Sequence, residues 1–261
     1  MTRSRYCLFK DDLTPEHTTQ ATAAPRDYFA TTRWTVVLAA SARSTPHADV
    51  ALEELCRTYW YPLYAYVRRH GHSREDAEDL TQSFFARFLQ KNYLENLRGE
   101  HGKFRAFLLA SLKHFLANEW RRARRQKRGG GVPPLSLDWQ DADTRYRIEP
   151  ADRLSPDKIY DRAWAVTLLE QVILRLREEN AANGKAALFE RLKPFLMLGR
   201  GEIPYIEAAA GLAMTEGTVR VAVHRLRRRY RELLREEIGQ TLSDRAQVEE
   251  EMRALFSAFA G

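Results

Sequence analysis

The sequence predicts an all-α protein made of two small helical domains joined by a flexible linker. Apolar residues recur at spacings of three and four, no stretch shows the alternation of a strand, and a Gly- and Pro-rich segment divides the chain. The 261 residues suit two modest domains. The predicted divisions are a tail over 1–33, a first domain over 34–128, a linker over 129–157, a second domain over 158–237 and a C-terminal helical extension over 238–261.

The first domain is predicted to hold three amphipathic helices in succession. Apolar residues over 52–63 lie on one stripe, and Pro62 is expected to break or bend that helix. Residues 73–76 fit a capping box for the second helix, which continues with an apolar stripe over 77–88. The third helix, over 103–128, ends at three glycines and a Pro-Pro pair, which stop helices.

The second domain contains a pattern typical of a helix-turn-helix. A short helix with three alanines precedes a turn, Thr215 stands where an N-cap belongs, and Glu216 suits the positive end of the helix dipole. Apolar residues from Val219 to Leu233 then repeat at spacings of four and three and leave a basic outer face. The second helix of such a unit enters the major groove of DNA.

Composition excludes several classes of protein. With 44% apolar and 30% charged residues, the chain is neither wholly disordered nor membrane-spanning, and the apolar stretch at 106–116 is too short for a bilayer. Cys7 and Cys56 cannot build a disulfide framework, and no Cys/His cluster has zinc spacing. No apolar stretch precedes Asp11, so a signal peptide is not expected. We expect a soluble cytoplasmic protein without membrane insertion, metal or cofactor.

The net charge of +7 is concentrated in two of the predicted helices. Residues 103–128 hold nine basic residues and one acidic residue, and residues 220–235 hold seven arginines and one glutamate. The rest of the chain is therefore net acidic. This distribution indicates a polyanionic partner, because neutralising phosphates with Lys or Arg releases counterions. Two solvated basic helix faces are the alternative interpretation.

Positions on the basic helix of the second domain suggest two roles. Side chains near its start can reach base edges, whereas arginines further along can hold phosphates. The candidate base contacts are Thr215, Glu216, Thr218, Arg220 and Val221. The candidate phosphate contacts are Arg225, Arg228 and Arg229, and the predicted outer face is formed by Arg220, His224, Arg227 and Arg231. A helical hairpin with arginines as surface charge is the alternative.

The second helix of the first domain has an acidic and polar face. Asp76 and Asp79 are neighbours on it, and His70 and His72 lie just upstream. A nuclease-like metal site would need a third ligand group, and none has a compatible spacing. A docking surface for a protein partner is the better use of this face, although a solvated face has the same pattern.

Aromatic residues lie among the cations of the third helix. Trp120 is flanked by charge near its end, and Phe104 lies near its start. Single-stranded nucleic acid is bound by aromatic rings for stacking beside a row of cations for the phosphates. Phe104 is at least as well explained as a core residue, so Trp120 is the more suggestive of the two.

These stretches in this order resemble the extracytoplasmic-function (ECF) subgroup of the bacterial sigma-70 family. Residues 76–89 look like the region 2 helix that docks on the RNA polymerase clamp, and residues 102–125 like the promoter-opening segment. Residues 214–233 are similar to the region 4 helix-turn-helix, which reads the upstream promoter element. The resemblance covers roughly residues 34–128 and 158–236.

The resemblance implies a sigma factor with no active site, which directs promoter recognition, strand opening and transcription initiation. Its partners would be core RNA polymerase and promoter DNA, and an anti-sigma factor is left open as a third. The residues matching the clamp-docking pattern are Asp76, Glu78, Asp79, Leu80, Gln82 and Phe85. Those matching the promoter-opening pattern are Arg105, Lys113, Asn118, Trp120, Arg121, Arg122, Arg124 and Arg125. The residues for the upstream element are the helix-turn-helix candidates named above, His224 included.

The chain departs from the family pattern at Ala213, in the linker, in its N-terminal residues and in the helices that extend beyond Tyr230 toward Gly261. Ala213 fills a turn position where the family usually has glycine, so the turn must avoid a positive φ or accept strain. The linker is long and acidic, and the N-terminal residues exceed the basic two-domain pattern. A last amphipathic helix over 248–259 must bury its apolar stripe, and docking within the molecule is expected. Whether it folds back on the basic surfaces is open at this point.

Two other classes of function remain as alternatives. A free-standing helix-turn-helix regulator would bind duplex DNA without polymerase and use its first domain to sense a ligand or dimerise. A nucleic-acid-processing enzyme would need the metal site for which no third ligand was found.

Overall fold

The structure is a computed structural model, and it describes residues 46–88, 103–125, 146, 154–197 and 204–259. In these residues all regular secondary structure is helical apart from one isolated bridge between Lys103 and Leu242. The predicted all-α class is confirmed. The predicted tail and most of the predicted linker lie outside the described residues. None of the described helices is long and apolar enough to cross a membrane.

Three helices form the first group: α1 (Pro46–Arg69), α2 (Arg74–Phe88) and α3 (Phe104–Arg125). The helix α1 continues through Pro62, so of the predicted break or bend the break does not occur. A proline inside a helix costs about 3 kcal/mol. Tyr61 and Leu63 beside it are buried, so packing offsets that cost.

Of the capping box predicted at the start of α2, the structure shows the hydrogen bond to the Ser73 side chain. The Ser73 hydroxyl accepts a hydrogen bond from the Asp76 backbone N–H at 3.0 Å and donates to the Asp76 carboxylate at 2.9 Å. Gly71 precedes it with φ of +92°, a conformation that favours glycine, in the turn after α1. Together these residues set where the acidic face of α2 begins.

Aromatic side chains fill the core of the first group. The Phe104 ring is fully buried and meets Tyr59 edge-on, with 5.1 Å between ring centroids. The Phe84 ring packs against the rings of Phe88 and Phe115, with ring centroids 5.6 and 5.7 Å apart. Phe104 is therefore a core residue and not a stacking platform for a nucleic acid, which agrees with one of the two interpretations of its position in the sequence.

Six further helices lie in the described part of the chain: α4 (Pro156–Ala182), α5 (Ala186–Leu192), α6 (Pro194–Met197), α7 (Tyr205–Leu212), α8 (Glu216–Gln240) and α9 (Val248–Ser257). Ser155 caps α4 by accepting a hydrogen bond from the Lys158 N–H, and Pro156 occupies the first helical position. The expected intramolecular docking of the last helix is observed, since Met252 and Leu255 are buried.

The long helix α4 joins the two groups of helices. It packs against α1 on one side and against α8 on another, and its Trp164 is fully buried. Thr58 of α1 and Gln171 of α4 share a hydrogen bond at 3.1 Å. The buried apolar residues of both groups form one continuous hydrophobic cluster. The helices that the sequence divides between two domains are therefore in contact, and the exact domain boundaries stay a prediction.

The turn between α7 and α8 contains a strained backbone conformation at Ala213, which has a positive φ. Ala213 has φ of 50° and ψ of 41°, the left-handed conformation, which glycine adopts most easily. The Met214 N–H reaches back to the Ala209 carbonyl at 3.1 Å, which closes the end of α7. The alanine thus adopts a conformation typical of glycine at a cost of about 1–2 kcal/mol.

Candidate nucleic-acid and protein interfaces

The apolar stripe of α8 faces inward as its spacing predicted. Thr215 is the N-cap of the helix and accepts a hydrogen bond from the Thr218 N–H at 3.2 Å. The buried positions of the stripe are Val219, Val223, Leu226, Tyr230 and Leu233. This packing determines which of the basic residues reach the surface.

The outer face of α8 is smaller than predicted. Arg220 and His224 are exposed, but Arg227 is half-buried and donates from Nε and Nη2 to the Phe195 carbonyl at 3.2 and 2.9 Å. Arg231 is also half-buried. The prediction was wrong for Arg227, because its guanidinium donates its hydrogen bonds to a backbone carbonyl of α6.

At the start of α8, four of the five candidate base contacts are exposed and Glu216 is half-buried. Arg220 forms an ion pair with Glu216 at 2.6 Å, and its guanidinium lies 5.3 Å from the centre of the Tyr205 ring. Thr218 is exposed, and Val221 keeps 49% of its surface exposed. The ion pair uses Nε and Nη2 of Arg220, so Nη1 is the nitrogen left for a base contact while Glu216 stays paired.

The three candidate phosphate contacts differ in their surroundings. Arg225 is exposed and has no ion-pair partner among the described residues. Arg228 is 75% exposed and pairs with Glu232 on its own helix at 3.0 Å. Arg229 instead donates to both carboxylate oxygens of Glu179 on α4, at 2.9 and 2.8 Å. Arg225 is therefore the readiest of the three for a phosphate, and Arg229 joins two helices.

The acidic face of α2 lies on the surface, with one exception. Asp76 and Asp79 are exposed, and Glu78, Leu80 and Gln82 are half-buried. Phe85 is 1% exposed, with its ring 5.4 Å from that of Phe84 in the core. The assignment of Phe85 to a docking surface is corrected, because its side chain is enclosed.

Among the described residues, no group of three or more His, Cys, Asp or Glu side chains is arranged to hold a metal ion. Burial, with a smaller contribution from nearby His72, lowers the pKa of His70, which favours its neutral form.

A groove lies between the end of α1, α2 and the second half of α3. Its volume is about 540 Å³, and it is lined mainly by apolar atoms. Trp120 is 58% exposed at its edge, and Lys113 reaches across it to lie 5.8 Å from the centre of the Tyr66 ring and beside Asp157. Ring and cation thus stand together, as binding of a single strand requires.

The arginines beyond this groove are at the surface where the structure describes them. Arg121 donates to the Asn118 side chain at 3.2 Å, and Arg122 lies 3.4 Å from Glu119. Arg124 and Arg125 are the last described residues of α3, and their side chains fall outside the description.

At the opposite end of α3, Arg105 is enclosed. Its side chain is 15% exposed, donates to Glu251 at 2.8 Å, pairs with Asp161 and lies 4.5 Å from the centre of the Trp164 ring. The prediction of Arg105 as a direct promoter contact is corrected for this conformation, because partners from α4 and α9 occupy its guanidinium.

Residues 55–126 match the family model for sigma-70 region 2. The matched segment runs from α1 through the end of α3 and so contains the acidic face, the groove and Trp120. It supports a sigma factor of the sigma-70 family. No curated protein and no solved structure matches the chain significantly.

The region 2 match covers roughly a quarter of the chain and stops before α4. The resemblance of α7 and α8 to region 4 therefore rests on the turn and the basic helix alone. Sequence reasoning also missed the acidic partners of the basic residues, Glu179, Asp161 and Glu251. Three consecutive glutamates at the start of α9 were a visible clue, but nothing local indicates which cations they contact.

Proposed function

We propose that this protein is an ECF-type sigma factor that binds core RNA polymerase in the cytoplasm and directs it to promoters. The observation that carries the proposal is the position of the region 2 match: it coincides with the helices that hold both the acidic face and the groove beside Trp120. A basic helix preceded by a turn then follows in the chain, in the order that this family uses.

The acidic face of α2 is the proposed docking surface for core polymerase. Asp76 and Asp79 project into solvent, and the half-buried Leu80 lies between them and the groove. Exposed carboxylates favour a basic partner surface and increase the rate of encounter. With Phe85 removed from the original set, the docking residues are Asp76, Glu78, Asp79, Leu80 and Gln82.

The groove and the end of α3 are the proposed contact with an opened promoter strand. A base stacked on Trp120 would have the exposed Arg121 beside it for its phosphates, and Lys113 in exchange for the ion pair with Asp157. Stacking on an aromatic residue contributes about 1–3 kcal/mol per base. Binding energy of this kind supports strand opening without nucleotide hydrolysis, and the chain has no Gly-rich phosphate-binding loop with Lys-Ser/Thr.

The start of α8 is the proposed reader of upstream duplex DNA. Its N-terminal residues Thr215, Thr218 and Val221 are accessible, and Arg225 follows one turn later on the same accessible side. Two such weak contacts on one chain reinforce each other, because binding of the first raises the effective concentration of the second.

The proposal is tested by the dependence of DNA binding on core polymerase. We expect purified core polymerase to bind the chain and to lose most of that binding with Asp79→Lys, which reverses an exposed charge. The matched control is Glu190→Lys on α5, which reverses a charge that is 48% exposed and lies outside the matched segment. Sequencing of genomic DNA bound by the complex should then yield a common two-part motif.

Two results would oppose the proposal. Equal polymerase binding by Asp79→Lys and wild type would show that the acidic face of α2 is not the docking surface. Sequence-specific duplex binding at full strength without core polymerase would instead favour a free-standing helix-turn-helix regulator.

A further inference from the structure

The first turn of α9 places its glutamates against cations of other helices. Glu250 lies 2.7 Å from Lys103, and Glu251 lies 2.9 Å from Lys103 and 2.8 Å from Arg105. Glu249 pairs with α8. Acidic residues suit the start of any helix, but here each one also neutralises a cation from another element.

The start of α3 lacks an acidic residue of its own. Lys103 and Arg105 lie at the positive end of the α3 dipole, where cations are unfavourable, and no Asp or Glu occupies the first turn. The carboxylates of Glu250 and Glu251 therefore supply, from over a hundred residues away in the sequence, the charge that this helix end needs.

The segment that leads into α9 also runs along the start of α3. The Phe104 N–H donates to the Thr241 carbonyl at 3.0 Å, and Leu242 forms the isolated bridge with Lys103. Leu255 of α9 is fully buried. Apolar packing and charge thus hold α9 in its docked position, and the backbone contacts fix the segment just before it.

Two members of the basic stretch are withheld from solvent as a result. Arg105 is 15% and Lys103 22% exposed, and Glu251 between them is 1% exposed. Glu251 of α9 and Asp161 of α4 both occupy the Arg105 guanidinium, so a phosphate has to replace both to bind it fully. Lys103 and Arg105 can bind either the glutamates of α9 or the phosphates of DNA. DNA therefore has to displace the glutamates before it binds these cations.

We propose that α9 is an intramolecular acidic cover, which holds Lys103 and Arg105 against the protein. When α9 undocks, Lys103 becomes free for the phosphates of promoter DNA, and Arg105 keeps only Asp161 as a competing carboxylate. The inference rests on the proposed function of α3 in strand binding. Docking of α9 and full engagement of DNA then exclude each other, so each weakens the other by the same factor. In this way the C-terminal helix regulates how strongly the protein binds a single strand.

Cross-linking of the full chain tests the competition directly. A carbodiimide joins a lysine to a carboxylate in contact, so we expect a Lys103–Glu250 product in the free protein, detected by mass spectrometry. A random-sequence single-stranded oligonucleotide at saturating concentration should strongly reduce its yield. A cross-link that persists undiminished at saturation, or that never forms, would overturn the proposal.

Salt dependence provides a second measurement on matched variants. For the Glu250→Gln/Glu251→Gln protein, the plot of log affinity against log salt should become steeper by about 0.7 for each cation released to the single strand. Glu249→Gln removes a charge from the same turn but contacts Arg235 instead of α3, and it should keep the wild-type slope. The salt slope of the single variant Glu250→Gln is compared with that of Glu249→Gln, because the two variants have the same net charge.

Folding is monitored by circular dichroism, and if the double variant unfolds, the comparison of Glu250→Gln with Glu249→Gln carries the test, because both side chains are exposed. Wild-type slopes in folded variants, or equal changes from Glu249→Gln and Glu250→Gln, would contradict the cover. Both measurements omit polymerase. Failure of the proposed sigma activity therefore shows in transcription, whereas failure of the cover shows in cross-linking and salt slope.

Discussion

Arg229 of α8 holds Glu179 of α4 by hydrogen bonds to both carboxylate oxygens, at 2.9 and 2.8 Å. This two-point contact joins the basic helix to the helix that packs on the first group. Glu232 and Glu236 lie 3.4 and 3.2 Å from the same guanidinium. Arg229 was a candidate phosphate contact together with Arg225, yet its surroundings indicate a structural role.

The first prediction separates these two arginines. Arg229→Ala should lower the free energy of unfolding by about 1 kcal/mol, a modest figure because solvent screens this partly exposed pair. Arg225→Ala should leave stability within about 0.5 kcal/mol of wild type. It should instead make the salt dependence of duplex binding shallower by about 0.9. Denaturant unfolding and DNA titrations at several salt concentrations measure both, and a reversed assignment would refute the division of roles.

The second prediction concerns pH. The hydrogen bond from Arg229 lowers the pKa of Glu179 below its ordinary value. The stability that this pair contributes is therefore fully present above the unfolded pKa of about 4.3 and is lost as the pH falls through the folded pKa. Glu179→Gln should be less stable than wild type at pH 7, and the difference should shrink below about pH 4.3. A constant difference down to acid pH would show that the ionised pair is not its source.

The third prediction concerns the strained turn. Ala213→Gly should raise the free energy of unfolding by about 1 kcal/mol, because glycine adopts a φ of 50° without the clash of a Cβ atom. Gly211→Ala is a suitable comparison, since it adds a methyl group at a helical position where the nearest atom, on the Arg191 side chain, would lie 3.9 Å away. Destabilisation by Ala213→Gly would mean that the turn does not adopt the left-handed conformation.

The fourth prediction contrasts two aromatic residues of α3. Trp120→Ala should weaken binding of single-stranded DNA by about 1–3 kcal/mol and change stability little, because 58% of the side chain is exposed. Phe104→Ala should lower the free energy of unfolding by about 3–5 kcal/mol, because that ring is fully buried. If a folded Trp120→Ala protein bound single-stranded DNA as tightly as wild type, stacking of a base on Trp120 would be contradicted.

Local patterns in the sequence predicted much of the fold. The three- and four-residue spacing of α8 identified its buried stripe, and Thr215 and Ser73 marked helix starts correctly. Each of these depends on neighbours within one or two turns. The same spacing could also have identified Phe85, which follows the buried Thr81 by four residues and precedes the buried Phe88 by three.

Contacts between distant segments could not be predicted in this way. Arg105 stands among other basic residues in the chain, but Glu251, 146 residues away, determines that it is enclosed. Arg229 depends in the same way on Glu179. A charge pattern shows how many cations a helix carries. Only the packing of other helices against it shows which of them remain available to a nucleic acid.

The most direct test of the sigma assignment is run-off transcription with purified core RNA polymerase and a pool of genomic promoter fragments. The account predicts promoter-dependent transcripts that require the added protein, decrease strongly with Trp120→Ala or Asp79→Lys, and persist with the control variant Glu190→Lys. Absence of any promoter-dependent transcript, although the protein is folded and the polymerase active with another sigma factor, would contradict it.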